Sequence, residues 1–544
     1  MAWIDDHPVA TSAGLAAAIA VAQLLWIRAH RMPGLLDNDE AAYLSGAWRF
    51  RSSFTEGGVP SLVEAVVGTS TAPLIPLVSA GLLAVGPDTI WWAMAVQPVL
   101  LVLAATSVAA LAVRLVPGRL AVIAATVFCA FPGVIAATQS YYYGLAVAAF
   151  LGLSLWVLFA SDRCRGPAIW WLPPVLAAMV LSRTMALGFV PAVLGAGVAL
   201  AWGDRRALLR LGAASAVATL LAAPWYLATS ETTLSYLLSA GYGPSASQFG
   251  TDSKVLQVLA VPAEMALDSG VVLALATVGA ALVVLSRGPR RRRDLVRSIF
   301  GSSERRALIV ALAIGALAVM STPNRGNWFT LPLLVPATAL GAEAIHRLGG
   351  TFARATGIVA AALGSAFLLT GLWILPSGRP IPMATQYESL FAPIDERFES
   401  PNRDDQPEAA ASWSRAYRDT VDAVDEVAPG ESPVLLTGNM ALFNVNQVEL
   451  QARLRGELVD IAVPDTTAPL SLLDESLRPS TPGRAPPRAL IVVDHDELLL
   501  PADIRSREFT ERARQAGWTV IRSLPLPSGD VVEILLPPGA PDPD

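Results

Sequence analysis

Charged side chains are scarce in this chain of 544 residues. They make up 15% of the sequence, while 53% of the residues are hydrophobic and the mean hydropathy is +0.50. Because a soluble globular chain carries about 25% charged residues, the composition argues against a soluble protein and favours a membrane protein. The net charge of −6 says little about partners, since arginines collect between apolar runs and acidic residues dominate the C-terminal third.

Cysteine, histidine and lysine are also rare. The two cysteines, Cys129 and Cys164, lie in or beside apolar segments and are separated by a predicted helix, which indicates neither a disulfide framework nor a zinc site. The four histidines are scattered along the chain and indicate no histidine-based site. Lys254 is the only lysine, so arginine supplies nearly all of the positive charge.

Long apolar segments, separated by short breaks rich in Arg, Gly and Pro, fill the first two thirds of the chain. A run of about 20 apolar residues is long enough to cross a bilayer as a helix. The first segment is interpreted as an uncleaved helix, because Asp5 and Asp6 stand where a secretory signal carries basic residues. We predict about eleven transmembrane helices, at residues 9–27, 90–113, 119–138, 142–160, 168–182, 185–202, 209–228, 268–286, 307–321, 327–345 and 355–375.

Arginine sets the predicted orientation in the cell membrane. Arg114, Arg163, Arg205 and the run 290–293, each with further arginines nearby, fall in every second loop. Such loops are cytoplasmic by the positive-inside rule, so the alternate loops are extracytoplasmic. Residues 1–376 are then a multi-pass transmembrane domain, and residues 377–544 an extracytoplasmic domain.

The tail from residue 377 onward has a different composition. Pro, Asp, Glu and Ser become more frequent, and no further spanning run occurs. A helical pattern over 411–427 and short β-branched runs predict a small α/β domain. The runs lie at 433–437, 457–461, 489–493 and 531–536, with a predicted hairpin over 518–529 and a long loop over 466–488.

The side on which the first large loop, residues 28–72, lies depends on the apolar stretch that follows it. Residues 72–86 contain Pro73 and Pro76 and are shorter than a comfortable span, which is typical of an interfacial or re-entrant element. If the stretch does not cross, the loop is extracytoplasmic, and if it crosses, the loop is cytoplasmic. The charges that flank the first helix weakly favour the second alternative, but we expect the first.

The first large loop carries three carboxylates within four positions, Asp37, Asp39 and Glu40. The structural explanation is a hydrophilic loop, or an N-cap at Asp39 for a helix that continues through Tyr43. The functional explanation is a catalytic group, because a positioned carboxylate can remove a proton from a reacting hydroxyl. Spacing alone does not separate the two explanations.

Asp39, Glu40 and Tyr43 form a D-E-x-x-Y pattern, and here the chain resembles the GT-C glycosyltransferases. The resemblance is to the branch that contains the protein O-mannosyltransferases and the lipid A aminoarabinose transferases, in which this pattern stands in the first extracytoplasmic loop. Three further segments resemble the family in the same order along the chain: Ala72-Pro73-Leu74, Pro224-Trp225-Tyr226 and Arg325 through Pro332. The resemblance covers residues 9–345 and implies a GT-C-like fold for the transmembrane domain.

The resemblance also implies an inverting transfer of a hexosyl or pentosyl group from a polyprenyl-phosphate donor to an acceptor hydroxyl at the outer membrane face. By this resemblance Asp39 is the general base. Glu40 is expected to orient its neighbours or cap the helix, and the sequence leaves Asp37 as an alternative base. Tyr43 and Tyr226 are expected to bind substrate.

A polyprenyl-phosphate leaving group develops negative charge, which a nearby cation would stabilise. Arg183 interrupts an apolar stretch at the predicted outer face, where few arginines stand, and ionisable residues in such places are functional candidates. Arg325 is the second candidate for this role. The alternative for both is an arginine whose side chain extends to the lipid headgroups.

One feature of related enzymes is missing. They often carry a second acid in the next outer loop, but residues 138–144 read Thr-Gln-Ser-Tyr-Tyr-Tyr-Gly. Gln139 and Tyr142 either bind sugar by hydrogen bonding and stacking or belong to an aromatic belt at the membrane surface, and the belt is the preferred interpretation. The missing acid leaves a requirement for a divalent metal open.

Two other classes of function compete. A transporter or flippase for a lipid-linked glycan predicts two halves with internal hydropathy symmetry, and the sequence shows no such repeat. A non-catalytic scaffold of the cell envelope would use the tail to bind polymer or protein. The partners we expect are the lipid bilayer, a polyprenyl-phosphate-linked sugar and an acceptor glycan, lipid or protein, and we expect no nucleic acid.

Overall fold

The computed structural model describes residues 2–31, 36, 38–69, 71–242, 246, 253–270, 272–273, 301–324, 328–348, 350–372, 407–429, 433–437, 443–455, 461–462, 487–493 and 506–540. Contacts divide the chain into two compact units. The membrane unit comprises Met1–Ile27, Ser53–Ser79 and Met94–Ile394. The loop–tail unit comprises Arg28–Ser52, Ala80–Ala93 and Asp395–Asp544, so the segment with the D-E-x-x-Y pattern is grouped with the C-terminal tail.

Up to residue 372 the described chain is helical. Two short 3-10 helices, Pro167–Trp171 and Thr184–Phe189, precede α10 and α11. The α-helices are α1 (Ala2–Asp6), α2 (Pro8–His30), α3 (Asn38–Val67), α4 (Leu74–Val85), α5 (Ile90–Ala93), α6 (Val96–Ala112), α7 (Gly118–Cys129), α8 (Pro132–Gln139), α9 (Gly144–Ala160), α10 (Leu172–Ser182), α11 (Val190–Ala201), α12 (Arg205–Ala228), α13 (Ser230–Tyr242), α14 (Lys254–Asp268), α15 (Ser303–Met320), α16 (Leu331–Leu348) and α17 (Gly350–Gly371).

Several of these helices are long and apolar enough to cross a membrane. Among the described residues, four qualify singly: Pro8–Ala29, Ile90–Ala112, Thr184–Ala201 and Arg205–Ala228. The pair α7 and α8, bent by 56° at the break between them, is a fifth candidate. The chain is therefore a multi-pass helical membrane protein, as predicted. The number of eleven spans stays a prediction, and most of the predicted span 268–286 lies outside the described residues.

Helix α4 lies within the apolar stretch 72–86, begins directly after Pro73, contains Pro76 and has 12 residues. At 1.5 Å per residue it is about 18 Å long, well short of a hydrocarbon core of about 30 Å. This length supports the interpretation of α4 as a non-spanning element. The extracytoplasmic position of the loop before it stays a prediction.

A buried ion pair joins α15 to α16. Arg305 donates from Nε to both carboxylate oxygens of Glu343, at 2.8 and 2.7 Å, and Arg347 donates to the same carboxylate at 2.8 Å. Arg305 and Glu343 are 7% and 3% exposed. Because both charges are out of water, removal of one leaves the other buried without compensation.

Replacing Glu343 by glutamine is therefore expected to lower the free energy of unfolding by about 3–5 kcal/mol, the range for breaking a buried pair. Thermal denaturation in detergent measures the effect, with Glu231→Gln, at an exposed carboxylate of α13, as the control. The double replacement Arg305→Met with Glu343→Leu should recover most of the lost stability, because it removes both charges of the buried pair together. Equal stability of wild type and Glu343→Gln would contradict this role of the pair.

The described part of the tail contains α-helices and a five-stranded sheet with strand order β2-β1-β3-β5-β4, and a separate α/β domain stays a prediction. Strand β1 pairs in parallel with β2 and β3, and β5 pairs in antiparallel with β3 and β4. The elements are α18 (Pro407–Val427), β1 (Val434–Thr437), α19 (Val445–Leu454), β2 (Ile461–Ala462), β3 (Ala489–Val493), α20 (Ser506–Gln515), β4 (Thr519–Pro525) and β5 (Val531–Leu536).

Helices cover both faces of this sheet. Alternate residues of a strand point to opposite faces, and Leu436 and Ile491 pack in one apolar cluster with Tyr417 of α18. On the other face Leu490 packs with Phe509 of α20. Burial on both faces explains why β1 and β3 are continuous apolar runs without alternation.

The strands coincide with sequence runs at 433–437, 489–493 and 531–536. The predicted hairpin is formed by β4 and β5 themselves, with the turn between Pro525 and Val531. Most of the predicted loop 466–488 lies outside the described residues. The extracytoplasmic location of the domain stays a prediction.

Candidate active site

The two carboxylates of the D-E-x-x-Y pattern have opposite environments. Helix α3 begins at Asn38, so Asp39 and Glu40 both stand in its first turn. Asp39 is exposed, whereas Glu40 is 0% exposed. The N-cap alternative for Asp39 does not match this helix start, because an N-cap residue precedes the first helical residue.

Glu40 is held by a buried arginine. Arg31 donates from Nη2 to Oε1 of Glu40 at 3.2 Å and from Nη1 to Oε2 at 3.3 Å, and it is itself 2% exposed. A two-point arginine–carboxylate contact fixes geometry as well as charge, so this pair ties the chain after α2 to the first turn of α3. Of the two adjacent acids, Asp39 is the one that a substrate could reach.

Tyr43 lies one turn after Asp39, which places both side chains on the same side of α3. Tyr43 is partly buried, and its neighbour Leu44 is 0% exposed. The pattern is therefore divided between two faces, with Asp39 and Tyr43 on the accessible one and Glu40 and Leu44 on the buried one. Asp37, the alternative base, lies outside the described residues.

Further along α3, polar side chains fix the helix to the turn before α5. Trp48 donates from Nε1 to Oδ1 of Asp88 at 2.7 Å, and Arg51 forms an ion pair of 2.5 Å with the same carboxylate. These contacts hold the helix that carries Asp39. Asp88 was not a sequence candidate, because one acidic residue in a short Gly-Pro-Asp turn gives no signal of this role.

In the membrane unit, Arg183 directly follows α10 and has an extended backbone with φ of −161°. Its guanidinium carbon lies 4.9 Å from the centre of the Phe329 ring, within the range of a cation–π interaction. Phe329 belongs to the segment that resembles the family's R-x-x-Y-x-L-P motif. The structure thus brings the two predicted segments together, whereas Arg325 lies outside the described residues.

Tyr226 belongs to the same neighbourhood. Its hydroxyl donates to the carbonyl of Val180 at 2.9 Å, three residues before Arg183. Trp225 stacks edge-on against Tyr226 and donates from Nε1 to the carbonyl of Val66 at 3.2 Å. The Pro-Trp-Tyr segment therefore fixes the end of α10, from which Arg183 extends.

The segment around Phe329 has two further anchors. Thr330 donates from Oγ1 to Oδ2 of Asp268 at 2.6 Å. Trp328 has a positive φ of 66° and packs on Gly144, where an added Cβ would lie 2.3 Å from the tryptophan Cβ. Sequence reasoning missed Asp268, because a lone acid at the predicted start of a span carries no motif.

Gln139 and the tyrosines that follow it are buried. Residues 141–143 are at most 3% exposed. Gln139 donates from Nε2 to Oε1 of Gln23 at 3.0 Å, and Gln97 donates from Nε2 to the carbonyl of Tyr142 at 2.9 Å. Because a belt faces the lipid headgroups, the interpretation of these rings as an aromatic belt was wrong, and packing with α2 and α6 encloses the segment. The alternative, sugar binding by Gln139 and Tyr142, stays a prediction.

The described residues thus contain two groups of candidates. One is the accessible face with Asp39 and Tyr43, supported by the pair of Arg31 and Glu40, and the other is Arg183 with Phe329 and Tyr226. Within the described ranges, no group of three or more His, Cys, Asp or Glu side chains is placed to hold a metal ion.

No family model and no curated protein matches the chain in sequence. In structure it is similar to ArnT from Cupriavidus metallidurans bound to undecaprenyl phosphate, with a TM-score of 0.56 and 13% identity over 95% of this chain and 97% of that one. The apo state of ArnT gives a TM-score of 0.56 and 13% identity over 95% of this chain and 96% of that one. The third similar structure is the archaeal oligosaccharyltransferase AglB from Archaeoglobus fulgidus, in complex with an inhibitory peptide and a dolichol-phosphate. Its TM-score is 0.53, with 12% identity over 90% of this chain and 70% of that one.

ArnT and AglB are both members of the GT-C superfamily. The similarity over nearly the whole chain confirms the GT-C-like fold that the D-E-x-x-Y pattern and its companion segments predicted. At 12% to 13% identity it establishes the fold and leaves the activity to be argued from the residues.

Proposed function

We propose that the chain is an inverting glycosyltransferase that moves a hexosyl or pentosyl group from a polyprenyl-phosphate donor to an acceptor hydroxyl at the outer face of the cell membrane. The acceptor is a glycan, a lipid or a protein. The observation that carries this proposal is the division of the acid pair, in which Arg31 engages Glu40 and Asp39 stays exposed on the first turn of α3.

The proposed donor class draws support from the similar structures. ArnT is bound to undecaprenyl phosphate, and AglB is in complex with a dolichol-phosphate. Both ligands are long isoprenoid chains that end in a phosphate. A donor of this kind needs a membrane-embedded protein for its chain and a cation for its phosphate, and the membrane unit offers apolar helices and Arg183.

In the proposed reaction Asp39 accepts the proton of the acceptor hydroxyl as general base. The acceptor oxygen forms a bond to the anomeric carbon on the side opposite the phosphate, so the configuration at that carbon inverts. The bond between the anomeric carbon and the phosphate oxygen breaks, and its electron pair stays on the released polyprenyl phosphate. Asp39 then returns the proton to solvent.

Arg183 and Arg325 are proposed to stabilise the charge that develops on the leaving phosphate. A fixed cation at the position of developing charge lowers the barrier more than a mobile one, because it needs no reorganisation during the reaction. The planar guanidinium also suits two-point binding of phosphate oxygens. Tyr43, Tyr226, Gln139 and Tyr142 are proposed to bind the sugar or the acceptor.

Loss of the gene is expected to remove one sugar from an envelope glycan, glycolipid or glycoprotein and to leave the corresponding polyprenyl-phosphate sugar unused. Mass spectrometry of lipid-linked sugars and of envelope glycans, with and without the gene, measures both changes. The wild-type gene should restore the profile and the Asp39→Asn variant should not. A flippase would instead be expected to keep its activity in the Asp39→Asn variant.

The proposal requires the loop with Asp39 to face the exterior. An engineered thiol at Ala42→Cys, a partly exposed position of α3 three residues after Asp39, reports the side, because both native cysteines are buried. Labelling of intact cells with a membrane-impermeant maleimide is the expected result. A thiol that reacts only after the membrane is opened would overturn the proposal.

A further inference from the structure

Helix α19 of the tail contacts the chain that leads into α3. The N-cap residue Asn444 accepts a hydrogen bond from the backbone N–H of Gln447 at 3.0 Å, which fixes the first turn of α19. Gln447 in turn donates from Nε2 to the carbonyl oxygen of Leu36. Both residues are buried, at 2% and 3% exposure, and Leu36 stands three residues before Asp39.

The location of Gln447 in the α/β domain is informative. Helix α19 follows β1, a parallel strand of the sheet. In open α/β sheets ligands bind beyond the carboxyl ends of the parallel strands. Here the first helical turn after such a strand binds the backbone carbonyl of Leu36, so a surface that usually receives a ligand receives a part of the same chain.

The same helix also carries two charged residues near Arg49 of α3. Glu449 and Arg453, one turn apart on α19, form an ion pair of 2.7 Å. Both act on Arg49 of α3: burial lowers the pKa of Arg49, Arg453 lowers it further, and Glu449 opposes the two effects. Glu449 and Arg453 of α19 therefore lie near enough to Arg49 of α3 to influence its charge.

These contacts matter because of the short distance along the chain from Leu36 to Asp39. A buried carbonyl needs a donor, and without one the segment either loses its hydrogen bond or moves to find another. A general base must stand within hydrogen-bond reach of the proton that it accepts. A displacement of about 1 Å in a catalytic group can cost about 100-fold in rate.

We infer that the C-terminal domain positions the general base, and that Gln447 is the positioning residue, acting on Asp39 through the carbonyl of Leu36. This inference rests on the proposed function of Asp39. It assigns the tail a role in setting the geometry of the reaction. A separate lid or acceptor-binding module would not require a buried glutamine that donates to the backbone carbonyl of Leu36.

The test is the variant Gln447→Glu in the full-length protein, with Gln451→Glu as the matched control. Gln447→Glu keeps the size of the side chain but replaces the donor by an acceptor, whereas Gln451 lies one turn further on the same helix and is partly exposed. We expect kcat to fall by about 10- to 100-fold, with KM for the donor unchanged within about twofold. Binding of undecaprenyl phosphate per chain should also stay unchanged, which excludes a simple loss of folded protein.

Hydrogen exchange gives a measure that does not depend on activity. Backbone amides of residues 36–48 are expected to exchange faster in Gln447→Glu than in wild type, and no faster in Gln451→Glu. If Gln447→Glu does not fold, Gln447→Met, which has a similar volume and no N–H donor, takes its place with the same expectations.

The outcomes separate the inference from the function on which it rests. If Asp39→Asn abolishes transfer but Gln447→Glu keeps a kcat within twofold of Gln451→Glu, the inference is overturned and the proposed function stands. If the wild-type protein transfers no sugar from a polyprenyl-phosphate donor, the proposed function fails. If Asp39→Asn transfers sugar as well as wild type, Asp39 is not the general base. Faster exchange of residues 36–48 would then show only that Gln447 holds this segment, and the positioning of Asp39 would be refuted.

Discussion

Replacing Asp39 by asparagine is expected to reduce the rate of sugar transfer by about 10²- to 10⁴-fold, the usual contribution of a general base. Asparagine has nearly the same shape but cannot accept the proton of the acceptor hydroxyl. The fold should be unaffected, because Asp39 is exposed and the buried pair of this turn is formed by Arg31 and Glu40. Transfer of a labelled sugar by the purified protein at saturating donor measures the effect.

Two further variants make this result specific. Glu56→Gln removes another exposed carboxylate of α3 and should retain the wild-type rate. Asp37→Asn tests the alternative base, and a loss of rate in this variant with an active Asp39→Asn would transfer the role to Asp37. An Asp39→Asn enzyme that keeps more than a tenth of the wild-type rate would rule out Asp39 as the base.

The membrane class and most helix positions could be predicted because they depend on local features. The predicted span 209–228 lies inside the observed helix Arg205–Ala228. The span predicted at 119–138 is instead a bent pair, because Phe131 before Pro132 is extended, with ψ of 132°. A residue before proline avoids the helical region for steric reasons, so this break was already present in the sequence.

The division of the acid pair could not be predicted from the sequence. Neighbouring residues of a helix point about 100° apart, so Asp39 and Glu40 point in different directions, and their spacing does not show which of them faces the protein. The burial of Glu40 goes with its contact to Arg31, nine residues earlier. The sequence alone does not show that this contact forms.

The tyrosines at 141–143 show the same limit in the membrane unit. An aromatic run at the end of an apolar segment is typical of a belt at the lipid surface, and an inward-facing run has the same local pattern. Only the packing of the helices decides, and here Tyr141 donates from its hydroxyl to Ser79 at 2.6 Å inside the protein. Asp268 was missed for the related reason that its partner, Thr330, lies 62 positions away.

Replacing Arg183 by glutamine is expected to reduce kcat by about 10²- to 10³-fold, the cost of removing a group that stabilises developing charge. The reduction should exceed any change in donor binding, because the phosphate carries more negative charge on the bridging oxygen after the bond has broken. Arg183→Lys should keep part of the rate. A lysine retains the charge but lacks the planar group that stacks on Phe329 and binds two phosphate oxygens.

Arg210→Gln is the matched control for this prediction. Arg210 is exposed near the start of α12, on the side predicted to be cytoplasmic, and its loss should not change the rate. If Arg183 only extends to the lipid headgroups, Arg183→Gln will behave like Arg210→Gln in single-turnover transfer. A fall in kcat for Arg183→Gln alone, with a smaller fall for Arg183→Lys, requires a cation that acts on the reacting phosphate, since neither lipid anchoring nor total charge distinguishes these variants.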